Sequence, residues 1–363
     1  MHSRKALSKI KPYVPGTSIE DVVDRFNLSH IVKMASNENP LGSPVALDEL
    51  TEAMTKMAIY PDIDRHPILQ SLADRYGLDK ENLILGNGSD DLFLMMGLAF
   101  LNPGDECISS EKTFSVYAHV AHLMDASFKA VPMKDYGYDL PAMYSQVGPR
   151  TKLVMIANPN NPTGTVVTEK ELEVLFSQLP EHVSVVLDQA YIEFARPDYQ
   201  IDIKDWVARF PRLLVTRTFS KAYGLAGFRI GYAMGSSSLI SILKKVRQPF
   251  NVNQLALHAA NLALGKDDFL EKSVTLVRLG RTQLADGFSR LGLRYLPSEG
   301  NFICFFIPDK AELIYQAMLK KGIIIRHLKS FGMPDACRVS VGTAEDNVLF
   351  LSCLETCLKE VEL

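Results

Sequence analysis

Between residues 83 and 234 two hydrophobic periods alternate, and this constrains the chain more than any other feature. Short runs rich in Val, Ile and Leu recur at 83–85, 106–108, 129–131, 152–156, 183–187, 213–216 and 230–234. Amphipathic stretches of helical spacing lie at 67–76, 90–100, 116–124 and 169–179. Strands covered on both faces need apolar runs with little alternation, and the helices supply that cover. The pattern predicts an α/β fold with a mainly parallel mixed sheet flanked by helices.

After about Asn251 the texture changes to α+β. One long helix is expected over 254–291, then short strands at 294–297, 301–307, 323–325 and 338–341, with helices at 311–320 and 345–359. We expect an N-terminal arm over 1–35, packing on the small domain or a partner subunit. A large domain over 36–252 and a small C-terminal α+β domain over 253–363 would follow it. A chain of 363 residues with 47% hydrophobic content is long enough to bury such a core.

Charge and cysteine content narrow the function classes. With 39 basic and 42 acidic residues there is no global basic surface, which argues against nucleic acid as a partner. The longest apolar stretch, 92–101, is interrupted by Gly97 and is too short to span a bilayer, so no membrane role is expected. The first residues lack an apolar signal core, and the expected location is cytoplasmic. Five scattered cysteines, including the Cys353/Cys357 pair, match no metal spacing; they are expected to be reduced and largely buried, with no metal site.

Four segments carry chemistry. In Leu85-Gly86-Asn87-Gly88-Ser89-Asp90-Asp91-Leu92 a strand ends and a helix begins, exposing N–H groups that suit an anion. Position 91 is Asp, so this is no dinucleotide fingerprint, and alone it reads as a capped βα turn. The polar loop Asn158-Pro159-Asn160-Asn161-Pro162-Thr163-Gly164 follows a strand at the end where open α/β sheets bind ligands. Asp188, after the run 183–187, is either a helix cap or a carboxylate for a heteroaromatic nitrogen, with Tyr191 reaching a ring oxygen. Lys221 sits in Thr218-Phe219-Ser220-Lys221-Ala222-Tyr223-Gly224, with Arg229 eight positions on. Desolvation and nearby cations there would lower its pKa for imine chemistry.

Together these segments resemble the site of the fold type I pyridoxal 5′-phosphate (PLP) aminotransferases. Within them the chain resembles the histidinol-phosphate aminotransferases of the class II subgroup. The resemblance runs through Lys11-Pro12-Tyr13-Val14-Pro15-Gly16, Ser36-Asn37-Glu38-Asn39-Pro40, Tyr60-Pro61-Asp62, Arg247-Gln248-Pro249-Phe250 and Arg338-Val339-Ser340-Val341-Gly342-Thr343. It implies that 36–252 binds PLP, that Lys221 forms the internal aldimine and shuttles a proton, and that Asp188 pairs with the pyridinium nitrogen. It implies further that Asn161 and Tyr191 hold the phenolate oxygen and that Tyr117 stacks on the ring. Gly88, Ser89, Asp90, Thr218 and Arg229 would bind the cofactor phosphate, with Tyr60 reaching it from the partner in a homodimer.

The implied substrates are histidinol phosphate and glutamate, interconverted with imidazole-acetol phosphate and 2-oxoglutarate in histidine biosynthesis. Arg338 would receive the α-carboxylate or the substrate phosphate, and Arg326 a distal anion, while Tyr13 and Asn87 stand at the pocket mouth. The same motifs are compatible with an aromatic-amino-acid aminotransferase, an O-phosphothreonine decarboxylase or a non-catalytic PLP-binding regulator. Gln189 stands where the family often has Glu, Lys112 where Pro is expected, and His327 where Pro is frequent.

Overall fold

In a computed structural model, residues 3–10, 12 and 16–362 are described. Twelve strands are found among them. They are β1 (Val32–Lys33), β2 (Leu83–Gly86), β3 (Glu106–Ser110), β4 (Ser127–Val131), β5 (Thr151–Ala157) and β6 (Ser184–Asp188). The others are β7 (Leu213–Thr218), β8 (Gly231–Gly235), β9 (Phe302–Phe306), β10 (Ile323–Ile324), β11 (Arg326–His327) and β12 (Ala336–Ser340).

Seven strands form the main sheet in the order β2-β8-β7-β6-β5-β3-β4. Only β8 runs antiparallel to its neighbours, so the sheet is the expected mainly parallel mixed one. Alternation along β6 and β7 sends Val185, Leu187, Leu213 and Val215 to a face packed with Leu172, Leu175 and Trp206. Val186 and Leu214 take the opposite face, against Leu92, Phe93 and Tyr117. Burial on both faces is why these strands read as apolar runs.

The C-terminal part holds an antiparallel sheet β11-β12-β9, and β1 pairs in parallel with β10. Phe305 stacks on Phe288 at 4.6 Å, and Phe302 and Phe350 join the same core. That core also takes in Tyr191, Phe194 and Ala222 from the site region, tying the two parts together. At the N-terminus, Arg4 Nη2 donates to the Leu123 carbonyl at 3.2 Å. Thr17 Oγ1 lies 2.6 Å from Tyr315 Oη, so the arm touches both the main-sheet part and the C-terminal part.

The expected single helix over 254–291 is instead two, Gln254–Leu264 and Asp267–Arg290. Gly265 closes the first, its N–H reaching back to Leu262 O and Ala263 O. Lys266 is pulled sideways, with Nζ 2.8 Å from Pro44 O and 2.6 Å from Glu49 Oε2. Asp267 and Asp268 then begin the second helix, where acidic side chains complement the dipole. The expected strand over 294–297 is reduced to a bridge between Tyr295 and Phe305.

Candidate active site

Parallel register brings three of the four segments to one edge. Ala157 pairs with Asp188 and Asp188 with Thr216, so the loop after β5, the carboxylate ending β6 and the segment after β7 converge. Asp188 shares the parity of Val186, which turns its carboxylate toward Tyr117. Its Oδ2 accepts from Tyr117 Oη at 2.6 Å. Its Oδ1 accepts from Ala190 N at 3.1 Å and Thr216 Oγ1 at 3.3 Å. Burial nevertheless pushes the acid up to about 6, because no cation faces it closely enough to offset desolvation.

Lys221 follows β7, and its Nζ donates to the Ser36 carbonyl at 2.9 Å and lies 5.9 Å from the Tyr191 ring centre. Burial first, and then the Arg338 cation, lower its ammonium to about 8, against the opposing pull of Glu38. An amine so poised is deprotonated far more readily than a surface lysine.

Gly88, at φ +77°, precedes the helix Ser89–Phe100. A Cβ there would collide with Arg229 Nη2, so the guanidinium lies against the helix start, and a Cβ at Gly231 would come 2.8 Å from Ser89 N. Arg229 Nη1 donates to Ser220 Oγ at 3.4 Å, and Ser220 N donates to Thr218 Oγ1 at 3.1 Å. Asp90 stands in the first turn, within electrostatic reach of Arg229 and Lys221. Free helix N–H groups, a guanidinium and two hydroxyls make a cradle of the chemistry a phosphate requires. Sequence reasoning had not singled out Ser220, although it is the hydroxyl next to Lys221.

Tyr191 Oη accepts from Asn37 Nδ2 at 3.0 Å and Asn161 Nδ2 at 3.3 Å. Asn161 Oδ1 in turn accepts from Arg338 Nη1, and Arg338 Nη2 donates to Ala35 O at 2.6 Å. Asn37 was also missed as a site residue. It holds a left-handed backbone at φ 56°, and its N–H donates to Ser340 Oγ at 2.8 Å. Arg326 and Arg338 are register partners across β11 and β12, so both side chains leave the same face of that sheet.

Other named residues stand differently. Tyr117 is fully buried, edge-on to Phe93 and Phe114, with its hydroxyl on Asp188. Asn87 contributes its backbone N–H to Asp91 Oδ2 at 2.9 Å and leaves its side chain exposed. Tyr60 is 76% exposed and stacked on Phe250 at 4.4 Å, outside its own chain's cradle. Tyr13 lies outside the described residues. Of the departures, Lys112 pairs with Glu111 while its carbonyl accepts from Asn160. His327 lies between Glu312 at 2.9 Å and the Pro334 carbonyl at 2.8 Å. All five cysteines are free, and among the described residues no His, Cys, Asp or Glu cluster could hold a metal and no helix is long and apolar enough to cross a membrane.

Comparison with known proteins agrees with this geometry. Residues 29–352 match the family model described as aminotransferase class I and II. The chain is 44% identical over 355 residues to histidinol-phosphate aminotransferase 2 of Pseudomonas aeruginosa, covering 97% of this chain and 96% of that protein. It is 42% identical to histidinol-phosphate aminotransferase of Methylobacillus flagellatus, covering 96% and 95%. The crystal structure of histidinol-phosphate aminotransferase from Sinorhizobium meliloti in complex with PLP superposes with a TM-score of 0.90 at 26% identity, covering 99% of this chain and all of that one. With a family model matched over residues 29–352 and relatives 42–44% identical over nearly their full length, the chain belongs to the aminotransferase class I and II family.

Proposed function

We propose that this protein is a PLP-dependent aminotransferase that interconverts histidinol phosphate and 2-oxoglutarate with imidazole-acetol phosphate and glutamate. One observation carries the reading: a half-buried amine of lowered pKa lies between an anion cradle and a guanidinium, with a second arginine beside that guanidinium on the same sheet face. Such a pocket suits a phosphorylated cofactor on one side of the amine and an anionic amino donor on the other. The names of the full-length relatives support the substrate.

The residues present fit PLP. The N–H groups after Gly88, with Thr218, Ser220 and Arg229, would hold its phosphate. Asp188, a buried carboxylate without a close cation, would gain one from a protonated ring nitrogen. Tyr191 and Asn161 would face the ring oxygen, and Tyr117 the ring. When bound, PLP supplies an electron sink for the pair released as the substrate's Cα–H bond breaks. Lys221 Nζ takes that proton and returns it at the acceptor carbon, a task suited to an amine whose pKa lies near neutrality. Arg338, already fixed by Asn161 and Ala35 O, orients the substrate's α-carboxylate or phosphate, and Arg326 meets the distal anion.

The active unit in this proposal is a cytoplasmic homodimer. Leu47, Met54, Met57, Ile59, Tyr60 and Phe250 are exposed apolar residues, and Phe250 stacks on Tyr60. A patch of that kind marks an interaction surface, and a second copy would bring Tyr60 to the neighbouring phosphate cradle. The division into 1–35, 36–252 and 253–363 belongs to the same proposal; each of the two sheets has its own core, and Ala256, Leu257 and Leu264 pack into that of the main sheet.

An amino-donor panel against the PLP-loaded protein, followed by the cofactor's absorption, tests this. Histidinol phosphate should react fastest, with 2-oxoglutarate restoring the starting spectrum. A good reaction with phenylalanine and almost none with histidinol phosphate would refute the substrate and leave the class standing. A Lys221→Ala protein that turned over at the wild-type rate would end the mechanism.

A further inference from the structure

Behind the site, on the sheet face opposite Asp188, Arg217 is buried, and its side-chain hydrogen bonds among the described residues go to Gln189 and Tyr76 rather than to a carboxylate. Its Nε and Nη2 both donate to Gln189 Oε1, at 3.0 and 2.8 Å. Its Nη1 donates to Tyr76 Oη at 3.0 Å, which shares a 2.6 Å hydrogen bond with Tyr232 Oη. The fork fixes the orientation of the Gln189 amide, because only the carbonyl oxygen can face two guanidinium donors. Gln189 Nε2 must then point away, and it is buried without a hydrogen-bond partner. Four residues on, Glu193 Oε1 is also buried and unpartnered, an acceptor matching that donor. Glu193 is within electrostatic reach of Arg217, whereas Arg75, the other nearby cation, is already paired with Asp267 at 3.2 Å.

We propose that Glu193 is the counter-charge of Arg217, that Gln189 is the neutral bridge between them, and that the three hold the turn presenting Asp188 and Tyr191. The backbone supports this role. Gln189 N donates to Thr216 O at 2.8 Å, and Ile192 N donates to Gln189 O at 3.2 Å, so the turn is pinned at the residue the fork grips. Arg217 itself sits between Thr216, which bonds Asp188, and Thr218 of the phosphate cradle. These are positioning residues: none of the three side chains faces the cofactor side of the sheet. With a neutral amide at position 189, Glu193 supplies the balancing charge from one turn away. The effect on cofactor binding rests on the function proposed above; the charge pairing does not.

Three proteins decide it: wild type, Glu193→Gln, and the double variant Gln189→Glu/Glu193→Gln, which moves the carboxylate directly onto the Arg217 fork. Glu193→Gln should lower the thermal midpoint of the apoprotein by about 5 °C, since an uncompensated buried charge remains. It should also weaken PLP binding by about tenfold and move the pH midpoint of the bound cofactor's absorption band, because Asp188 and Tyr191 shift. The double variant should recover all three values, and it should fold even where Glu193→Gln does not. A Glu193→Gln protein identical to wild type in all three measurements would overturn the proposal, as would a double variant no better than the single one. Failure of the wild type to bind PLP would instead sink the proposed function, and the apoprotein midpoints would still decide the charge pairing.

Discussion

Replacing Lys221 by methionine removes an ammonium from a half-buried site and leaves an unbranched side chain of similar reach. A lysine ordinarily ionises near 10.5, whereas Lys221 ionises at about 8, chiefly through burial and then through Arg338. That gap corresponds to about 3 kcal/mol of disfavour for the charged form in the fold. The folded chain holds the proton less tightly than the unfolded chain, so the penalty is complete below about pH 8. It shrinks as pH rises toward 10.5 and is absent above it. Methionine also strips the Ser36 carbonyl of its donor, which costs about 1 kcal/mol. The Lys221→Met apoprotein should therefore be more stable than wild type by about 2 kcal/mol near neutral pH. The advantage should vanish by about pH 10, while transamination by the PLP-loaded variant collapses. Urea denaturation of both apoproteins across that pH range reads the difference. A variant less stable than wild type near neutrality, or a gain that does not change with pH, would show that Lys221 is not held as a penalised cation.

Three further outcomes follow from the geometry. Gly88→Ala places a methyl group against Arg229 at a left-handed backbone position, adding about 1–3 kcal/mol of strain; PLP titration should show affinity falling at least tenfold. Arg338→Ala should lower kcat/KM for both histidinol phosphate and glutamate by roughly 10²-fold, as expected for loss of a charge-assisted clamp; loss for one substrate alone would mean two separate anion sites. Tyr60→Asp introduces a charge into the exposed apolar patch and should shift the protein from dimer to monomer in analytical ultracentrifugation, with weakened PLP binding; an unchanged dimer would place the interface elsewhere.

Much of the sheet was legible because its strands are covered on both faces. Except at the edge strand β4, where only Val131 is buried, the apolar runs are buried strands, and six residues, Gly86, Ser110, Ala157, Asp188, Thr218 and Gly235, mark where those strands stop a residue or two beyond the run. The break at Gly265 was not legible, since a single glycine is tolerated in a helix and what ends this one is Lys266 reaching to Pro44 and Glu49, more than 200 residues away. Asn37 and Ser220 were hidden for a similar reason. Their segments were noticed, but which atom of each faces Tyr191 or Arg229 depends on partners elsewhere in the chain.

By itself the sequence determined the class of chemistry. A lysine after one strand, a carboxylate after another and a glycine-led helix start are local patterns, because strand ends and helix caps are set by neighbouring residues. Tertiary structure alone decided how those patterns meet. Parallel register aligns Ala157, Asp188 and Thr216, antiparallel register sets Arg326 beside Arg338, and burial moves Lys221 and Asp188 toward neutrality. Register and desolvation depend on residues far apart in the chain, so they take their values only once the core has closed around them.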